Sequence, residues 1–344
     1  MRRPHGTETP RMRYLPPAMA AARRRRALIA VLPPLALLAL PLAAPLLAGH
    51  DGALPWLLDL PVHWQWFGAL WLALAGLFAA LYADGRWALV LLGLVLPWLS
   101  APPQLPARAE TSARTLSIAS ANVEYLNHDA TALRAWLAGV RPDLVVLLEV
   151  TPAWLASFGA LDDWPYREIA ASEGVHGIAL LSRLPLGDVR VSRMAGSLAS
   201  IDALVRLDDG RDIALAAVHL WPPMSAGLHG ARDRSLAHGL RALRAGGQPA
   251  LLIGDLNATP WSPAFAPLQK HGWRRTTSLE PTWPDGPLLA LGLPIDHVLA
   301  SPDWTRVEAA VGPAIGSDHR PVFVRLALSP LPGAAGASLA VPVR

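Results

Sequence analysis

The chain divides by pattern before it divides by chemistry. Three nearly charge-free stretches fall within the first hundred residues: Ala27 to Ala48, Trp66 to Ala83 and Trp87 to Ser100. A helix crosses a bilayer with ~20 apolar residues. The first stretch meets that length although Pro33, Pro34, Pro41 and Pro45 lie within it, and membrane helices tolerate proline better than soluble ones. The second is long enough, and the third is short for a full crossing. Trp56, Trp64, Trp66, Trp87 and Trp98 sit near the segment ends, as an interfacial aromatic belt does. The alternatives, a cleaved signal peptide or a buried hairpin, fit less well, because apolar segments follow one another over so many residues.

Between the first two stretches, His50 to Gln65 carries Asp51 and Asp59 and no basic residue; Asp84-Gly85-Arg86 then reads as a tight turn. Arg23 to Arg26 precede the first stretch, and the positive-inside bias places them in the cytoplasm. The expected organisation is a basic cytoplasmic arm over 1–26 and an anchor of about three transmembrane helices over 27–100. By parity, everything after Pro103 then lies on the outer, periplasmic face of the inner membrane. A Pro-containing linker follows over 101–113.

From Arg114 the texture changes to short apolar runs separated by turn signals. Strands are expected at Thr115–Asn122, Leu144–Glu149, Gly177–Ser182, Val189–Arg193, Ile201–Leu207, Ile213–Leu220, Ala250–Leu256, Asp296–Ala300 and Val322–Leu326. Helical spacing of Leu133, Trp136 and Leu137 predicts a helix within Asn127–Val140, and Leu236, Leu240 and Leu243 predict one over Ala231–Ala245. Many strands with few long helices imply two packed sheets with helices outside. A catalytic domain is expected over 114–330 and a disordered Ala/Gly/Pro-rich tail over 331–344.

Charge changes the picture of partners. The pI is about 10.1, yet residues 114–330 hold nineteen basic against twenty-one acidic residues, so the basic excess lies in the N-terminal part. A broad basic footprint for duplex DNA is therefore absent from the presumptive catalytic domain. There is no cysteine, which excludes disulfides, thiolate metal sites and thiol nucleophiles.

Candidate chemistry recurs at strand ends. Leu251-Leu252-Ile253-Gly254-Asp255-Leu256-Asn257 is an apolar run that breaks at a glycine and then presents a carboxylate and a carboxamide at i and i+2, on one side of extended chain. Asn122, Glu149 and His219 close other strands, Asp296 opens one, and Asp318-His319 precedes Arg320-Pro321. Each alone has a plain structural explanation: an Asx turn, a helix N-terminal acid beside Thr151-Pro152, a hydrogen-bonded structural histidine.

Together, Asn122, Pro142-Asp143-Leu144-Val145-Val146-Leu147-Leu148-Glu149, Gly177-Ile178-Ala179-Leu180-Leu181-Ser182-Arg183, Val218-His219-Leu220, Gly254-Asp255-Leu256-Asn257, Ile295-Asp296-His297-Val298 and Ser317-Asp318-His319-Arg320-Pro321 resemble the endonuclease/exonuclease/phosphatase superfamily in kind and order, over roughly Thr115 to Leu328. The N-terminal arrangement looks like membrane-anchored bacterial members. The resemblance implies a four-layered α/β-sandwich and a divalent-metal phosphoesterase using Mg²⁺ or Mn²⁺, ions that suit hard oxygen ligands. It implies Glu149 as principal metal ligand with Asn122 beside it, and Asp318 in the outer shell or at a second metal. Asp255 orients or deprotonates the attacking water, and Asn257 holds it or a phosphate oxygen. His319, paired with Asp296, contacts the phosphoryl oxygens; His219 hydrogen-bonds the phosphate or protonates the leaving group.

The expected partners are the lipid bilayer, through the N-terminal helices, and a phosphate-ester substrate; no protein partner is predicted. Nucleic acid is favoured as substrate over a phospholipid, sphingomyelin-type or phosphomonoester substrate. An inactive membrane binding module is the reading from another class. One departure stands out: relatives carry Arg-Gln in the helix after His219, where this chain has Arg234-Ser235. Trp221 and Trp261, beside motif residues, are open between stacking on a base or sugar, contacting lipid, and packing, with packing favoured; His176 either lines the cleft or is structural.

Overall fold

The computed structural model describes residues 16–107, 115–192 and 197–328. The expected tail and most of the basic arm lie outside them.

The N-terminal part is a bundle of three antiparallel segments. Pro17–Leu47 is helical with one 3-10 turn at Leu40–Ala43, and Gln65–Tyr82 is a second helix; both are long and apolar enough to cross a membrane. The third segment, Gly85–Ser100, is 3-10 over Gly85–Val95 and α-helical over Leu96–Ser100. Its sequence explains the tighter winding. Trp87, Val90, Gly93 and Leu96 recur every three residues and face the bundle, while Leu89, Leu92, Val95 and Trp98 recur every three and face out. A three-residue period stacks side chains in line on a 3-10 helix and not on an α-helix. Gly68 packs against Leu37 and Leu38, Gly76 against Val90 and Leu91, and Gly93 against Leu35 and Leu72. Arg23 and Arg26 meet Tyr82 at one end of the bundle, while Gln65 Nε2 donates to the Leu37 carbonyl at the other.

From residue 115 onward the described residues form twelve strands: β1 (Thr115–Asn122), β2 (Leu144–Leu148), β3 (Tyr166–Ala170), β4 (Ile178–Ser182), β5 (Leu186–Ser192), β6 (Ser197–Arg206), β7 (Asp212–Leu220), β8 (Ala250–Asp255), β9 (Arg274–Arg275), β10 (Asp296–Ala300), β11 (Trp304–Val311) and β12 (Val322–Leu328). They form two six-stranded sheets, ordered β11-β12-β1-β2-β4-β3 and β5-β6-β7-β8-β10-β9. Each is mixed: β1–β2 and β7–β8 are parallel, the other pairs antiparallel. The architecture is the four-layered α/β-sandwich.

Alternation along the strands builds the layers. Leu116 and Ile118 of β1, Leu144, Val146 and Leu148 of β2, Ile213 and Leu215 of β7, and Leu251 and Ile253 of β8 share the core between the sheets. Val145, Leu147, Ala179 and Leu181 turn outward under helices Thr131–Val140 and Pro152–Phe158. Ala216, Val218, Ala250 and Leu252 turn outward under helix Ala226–Ala245. Central strands are thus buried on both faces, and their sequences read as continuous apolar runs.

Two segments differ from expectation. The connector after the first apolar stretch contains a helix, Ala53–Val62, which docks on the sandwich. Trp56 Nε1 donates to the Pro223 carbonyl (2.7 Å), and Trp66 Nε1 to that of Leu279 (3.1 Å). Between the helices, Asp59 Oδ2 sits 2.7 Å from Arg232 Nη2, 3.2 Å from His229 Nε2 and 3.4 Å from His63 Nε2. The stretch expected as a free linker is also docked over Pro102–Ala107: Leu105 is buried and its N–H donates to the Arg275 carbonyl (2.7 Å).

Candidate active site

The polar residues that closed strands in the sequence continue the inner-face rows of the core. Ile213, Leu215 and Ala217 lead to His219; Leu251 and Ile253 lead to Asp255; Ala300 and Val298 lead back to Asp296. Register makes these a single rung, with His219 opposite Asp255 and Asp255 opposite Asp296. Cross-strand partners lie on the same face, so the core changes from hydrocarbon to titratable groups within one residue of each strand. In the facing sheet the β1 row ends the same way, on Asn122.

Local backbone explains how the side chains converge. Gly254 has φ +143°, and a Cβ there would run into the Val218 carbonyl of the parallel neighbour. Gly177 is equally constrained by the Val150 carbonyl. Glu149 and Asn257 both take left-handed conformations, at φ 61° and 46°, which cost L-residues energy and cluster at functional sites. Glu149 is held there by its N–H donating to the Gly177 carbonyl (2.7 Å). Asn257 is held by its N–H donating to Asp255 Oδ1 (2.8 Å), its Nδ2 donating to the Leu220 carbonyl (2.9 Å), and its carbonyl accepting from Arg232 Nη1 (2.9 Å).

All eight residues singled out in the sequence meet here. Asn122 Nδ2 donates to Glu149 Oε1 (3.0 Å) and to Asp255 Oδ2 (3.4 Å). His219 Nε2 lies 3.6 Å from Asp255 Oδ2 and 3.9 Å from Glu149 Oε1. His319 Nδ1 is 2.9 Å from Asp296 Oδ2, and its Nε2 is 3.8 Å from Asp255 Oδ2 and 3.9 Å from Asp318 Oδ1. Ser317 ties this last loop to β1, its hydroxyl donating to the Asn122 carbonyl (2.8 Å) and accepting from the His319 N–H (3.0 Å).

Burial and neighbours set the protonation states. Burial pushes the Asp255 carboxyl up to about 8, with Asp296 and Glu149 adding repulsion against the opposing pull of His319. Burial likewise raises Glu149, opposed by hydrogen bonds from Asn122 and the Tyr125 N–H. For His319, burial disfavours the charge, but Asp296 above all, with Asp255 and Asp318, outweighs it and raises the imidazole to about 10. His219 is driven down to about 3 by burial and by the charge of His319. Its Nδ1 faces the Val175 carbonyl at 3.2 Å. A carbonyl only accepts, so that nitrogen carries the proton and Nε2 presents a lone pair to the carboxylates.

The donor set fits a hard divalent cation. Four carboxylates face one imidazolium, and the buried Asp296 Oδ1 has no hydrogen-bond partner. Asp255, Asp296 and His319 each place one ligand-capable atom within 4.8 Å of the others, but as an imidazolium His319 has no lone pair to give, so the carboxylate oxygens are the donors. Glu149 offers carboxylate oxygens beside them, whereas Asn122 meets Glu149 through Nδ2 while its Oδ1 accepts from the Glu124 N–H (3.1 Å). Asp318 is about half exposed, with Oδ2 accepting from Trp283 Nε1 (2.8 Å).

Some of the framework was not visible in the sequence. Trp283 and Glu124 fix Asp318, the latter by accepting its N–H at Oε2 (3.1 Å). Thr282 Oγ1 accepts from the Ile295 and Asp296 N–H groups (3.2 and 3.3 Å). His63 Nδ1 accepts from the Thr259 N–H (3.3 Å), two residues past Asn257. Trp261 is buried, donates to the Pro97 carbonyl (2.7 Å) and packs edge-on to Trp66, so packing is its role. His176 stands edge-on to Trp221 with ring centroids 6.1 Å apart. Arg234 pairs with Asp51 of the connector, and Arg232 is the enclosed arginine of its helix.

Residues 119–319 match the sequence model of the Endonuclease/Exonuclease/phosphatase family. Fold and sequence therefore define the class, and the chain belongs to that family of phosphate-ester hydrolases. Solved structures agree in fold. An endonuclease/exonuclease/phosphatase from Beutenbergia cavernae superposes with a TM-score of 0.52 at 23% identity, covering 64% of this chain and 73% of that one. D. rerio TDP2 humanised by 14 mutations gives 0.51 at 19%, covering 62% and 98%. A mannosyl-6-phosphatase from Bacteroides thetaiotaomicron gives 0.51 at 15%, covering 62% and 100%. A comparison with curated protein sequences finds no match.

Proposed function

We propose that the chain is a divalent-metal-assisted phosphoester hydrolase held in a membrane by three crossings, its active centre on the side away from the basic arm. The observation that carries the chemistry is the His219–Asp255–Asp296 rung, closed by Asn122–Glu149 and His319. Glu149 and the neighbouring Asp255 would hold Mg²⁺ or Mn²⁺, with Asn122 positioning both carboxylates through Nδ2, and when bound the ion supplies charge neutralisation at the phosphate. His319 enters as an imidazolium, its Nδ1–H fixed on Asp296 and its Nε2–H available to a phosphoryl oxygen as charge develops. Asp255 accepts the proton of the attacking water while Asn257 positions that water or a phosphate oxygen. His219 enters neutral with its proton on the Val175 side, so its Nε2 can accept from Asp255 only after that carboxylate has taken the water's proton, and it is not the acid for the leaving group. Asp318 sits at the rim as an outer-shell carboxylate.

Three crossings are supported by the winding of the third segment. Eleven residues at ~2.0 Å and five at ~1.5 Å rise reach ~30 Å, the thickness of a bilayer's hydrocarbon core. The test of the chemistry is full-length protein in lipid nanodiscs with bis-p-nitrophenyl phosphate. Mg²⁺-dependent turnover, abolished by EDTA and by Asp255→Ala, is expected. Equal release of nitrophenol by that variant would sink the reading. A reporter fused after Arg344 that is active only in the cytoplasm would sink the three-crossing topology.

A further inference from the structure

Beside the rung lies a cavity of about 540 Å³ whose walls come from both parts of the chain. Leu60 and Trp64 belong to the docked connector; Met224, Leu293 and Ile295 belong to the sandwich; His319 and Asn257 form one end. Among the described residues, neither Lys nor Arg lines it. The wall is fixed in place, since the connector is bound to the sandwich by Asp59–Arg232, Trp56–Pro223 and His63–Thr259. Trp64 also lines a second, wholly apolar cavity of about 370 Å³ with Leu37, Pro61 and Phe67, which opens on the flank of the apolar helices. Trp64 thus lines both the cavity that holds His319 and Asn257 and the apolar cavity formed with Leu37, Pro61 and Phe67.

Binding sites of this volume are apolar with a few oriented polar groups, and the polar groups here are His319 and Asn257, assigned to the phosphate, with His63 and the Trp283 indole beside them. Polynucleotides are held chiefly by Lys and Arg on their phosphates, and the described residues lining this cavity include none. We propose, resting on the phosphoesterase reading above, that the substrate is an amphiphilic phosphate ester: its phosphate lies at His319 and Asn257, and its hydrocarbon fills the cavity and leaves past Trp64 along the apolar helices. This favours the lipid-type alternative of the sequence reading over nucleic acid. Water adds to phosphorus and gives a proton to Asp255, the phosphorus–oxygen bond breaks with its electron pair on the leaving oxygen, and that oxyanion takes its proton from solvent water.

The test holds chemistry constant and varies the apolar part. Full-length protein in nanodiscs with Mg²⁺ is offered methyl, octyl and hexadecyl p-nitrophenyl phosphodiesters and thymidine 5′-p-nitrophenyl phosphate, each releasing nitrophenol. We expect kcat/KM to rise at least about tenfold from methyl to octyl, since even one methylene in an apolar pocket is worth that much. Met224→Glu and Leu293→Glu should each erase the rise, read as the ratio of the octyl to the methyl kcat/KM within each variant. Equal kcat/KM across chain lengths, or faster turnover of the thymidine ester than of the octyl ester, would overturn the proposal and leave the phosphoesterase reading standing. No metal-dependent turnover of any ester would instead remove that reading. The cavity is then judged by quenching of tryptophan fluorescence with a bromo-octyl phosphonate: quenching lost in Leu293→Glu supports the apolar site, and identical quenching in that variant overturns it.

Discussion

Arg232 Nη2 lies 2.7 Å from Asp59 Oδ2, both side chains are fully enclosed, and 173 residues separate them in sequence. The same guanidinium donates through Nη1 to the carbonyl of Asn257. One cation therefore joins the connector between apolar helices to the loop that carries Asp255 and Asn257. Breaking a buried pair from one side leaves an uncompensated charge. Asp59→Asn should cost about 3 kcal/mol or more by that mechanism, read as a lowered Tm in nanodiscs. Arg232→Met with Asp59→Asn together should cost less than the sum of the two single changes, read by a double-mutant cycle.

The same contact makes the connector acid-labile. Burial alone would raise the Asp59 carboxyl, but His63, His229 and Arg232 outweigh it and hold it far below the usual carboxylate range. A depressed carboxyl stabilises the fold above its unfolded pKa of about 3.9 and loses that contribution as pH falls below it. Protease cleavage within residues 49–64 should accelerate below about pH 4 in wild type, and Asp59→Asn should already be cleaved fast at neutral pH.

Catalysis should show two limbs. Asp255 must be ionised to accept a proton, and its carboxyl stands at about 8 before any cation binds. A bound divalent ion lowers that value, so the rising limb of kcat/KM is expected below pH 8 and should move further down as Mg²⁺ concentration increases. The falling limb is expected near 10, where His319 loses its proton. A pH profile at two Mg²⁺ concentrations measures both, and a fixed rising limb would contradict the assignment of Asp255.

Asp296 acts through His319. Asp296→Asn removes the charge that keeps the imidazole protonated, so kcat should fall about 10²- to 10³-fold, as for loss of one charge-stabilising donor. The falling limb should move below 10 at the same time. Loss of kcat with that limb unmoved would argue against the pairing.

Gly254→Ala tests the backbone. Its φ of +143° and the Val218 carbonyl both oppose a Cβ. Destabilisation of more than about 2 kcal/mol is expected, measured by urea unfolding.

The sandwich was legible because its central strands are buried on both faces, so β1, β2, β4, β7, β8 and β10 stand out as apolar runs between turns. The site was legible for the same reason: His219, Asp255 and Asp296 are polar residues at the ends of apolar rows. Of the edge strands only β5 was expected, at Val189–Arg193; β3, β9 and β11 were not. Tyr166–Ala170 is mixed in burial, and in Trp304–Val311 a register shift between Arg306 and Glu308 breaks the two-residue period. Helix Pro152–Phe158 hid behind its own cap, where Thr151 accepts the Trp154 N–H. Asp59 read as an acid in a polar connector; only Arg232, His63 and His229, remote in sequence, reveal it as a buried anchor point. Arg232 itself was passed over for Arg234, two positions on, which faces the opposite way to Asp51.

The tightly wound third segment has a mechanical meaning. If Gly85–Val95 relaxed to an α-helix it would shorten by about 5 Å, at ~0.5 Å per residue, and its row of inward side chains would spiral off Leu35 and Leu72. Pro97 would then no longer reach the Trp261 indole. The stature of this strut is therefore written in its pitch as much as in its residue count, and a one-residue insertion before Gly93 should disturb the seating of Trp261, some 170 residues further along the chain, more than many substitutions beside it.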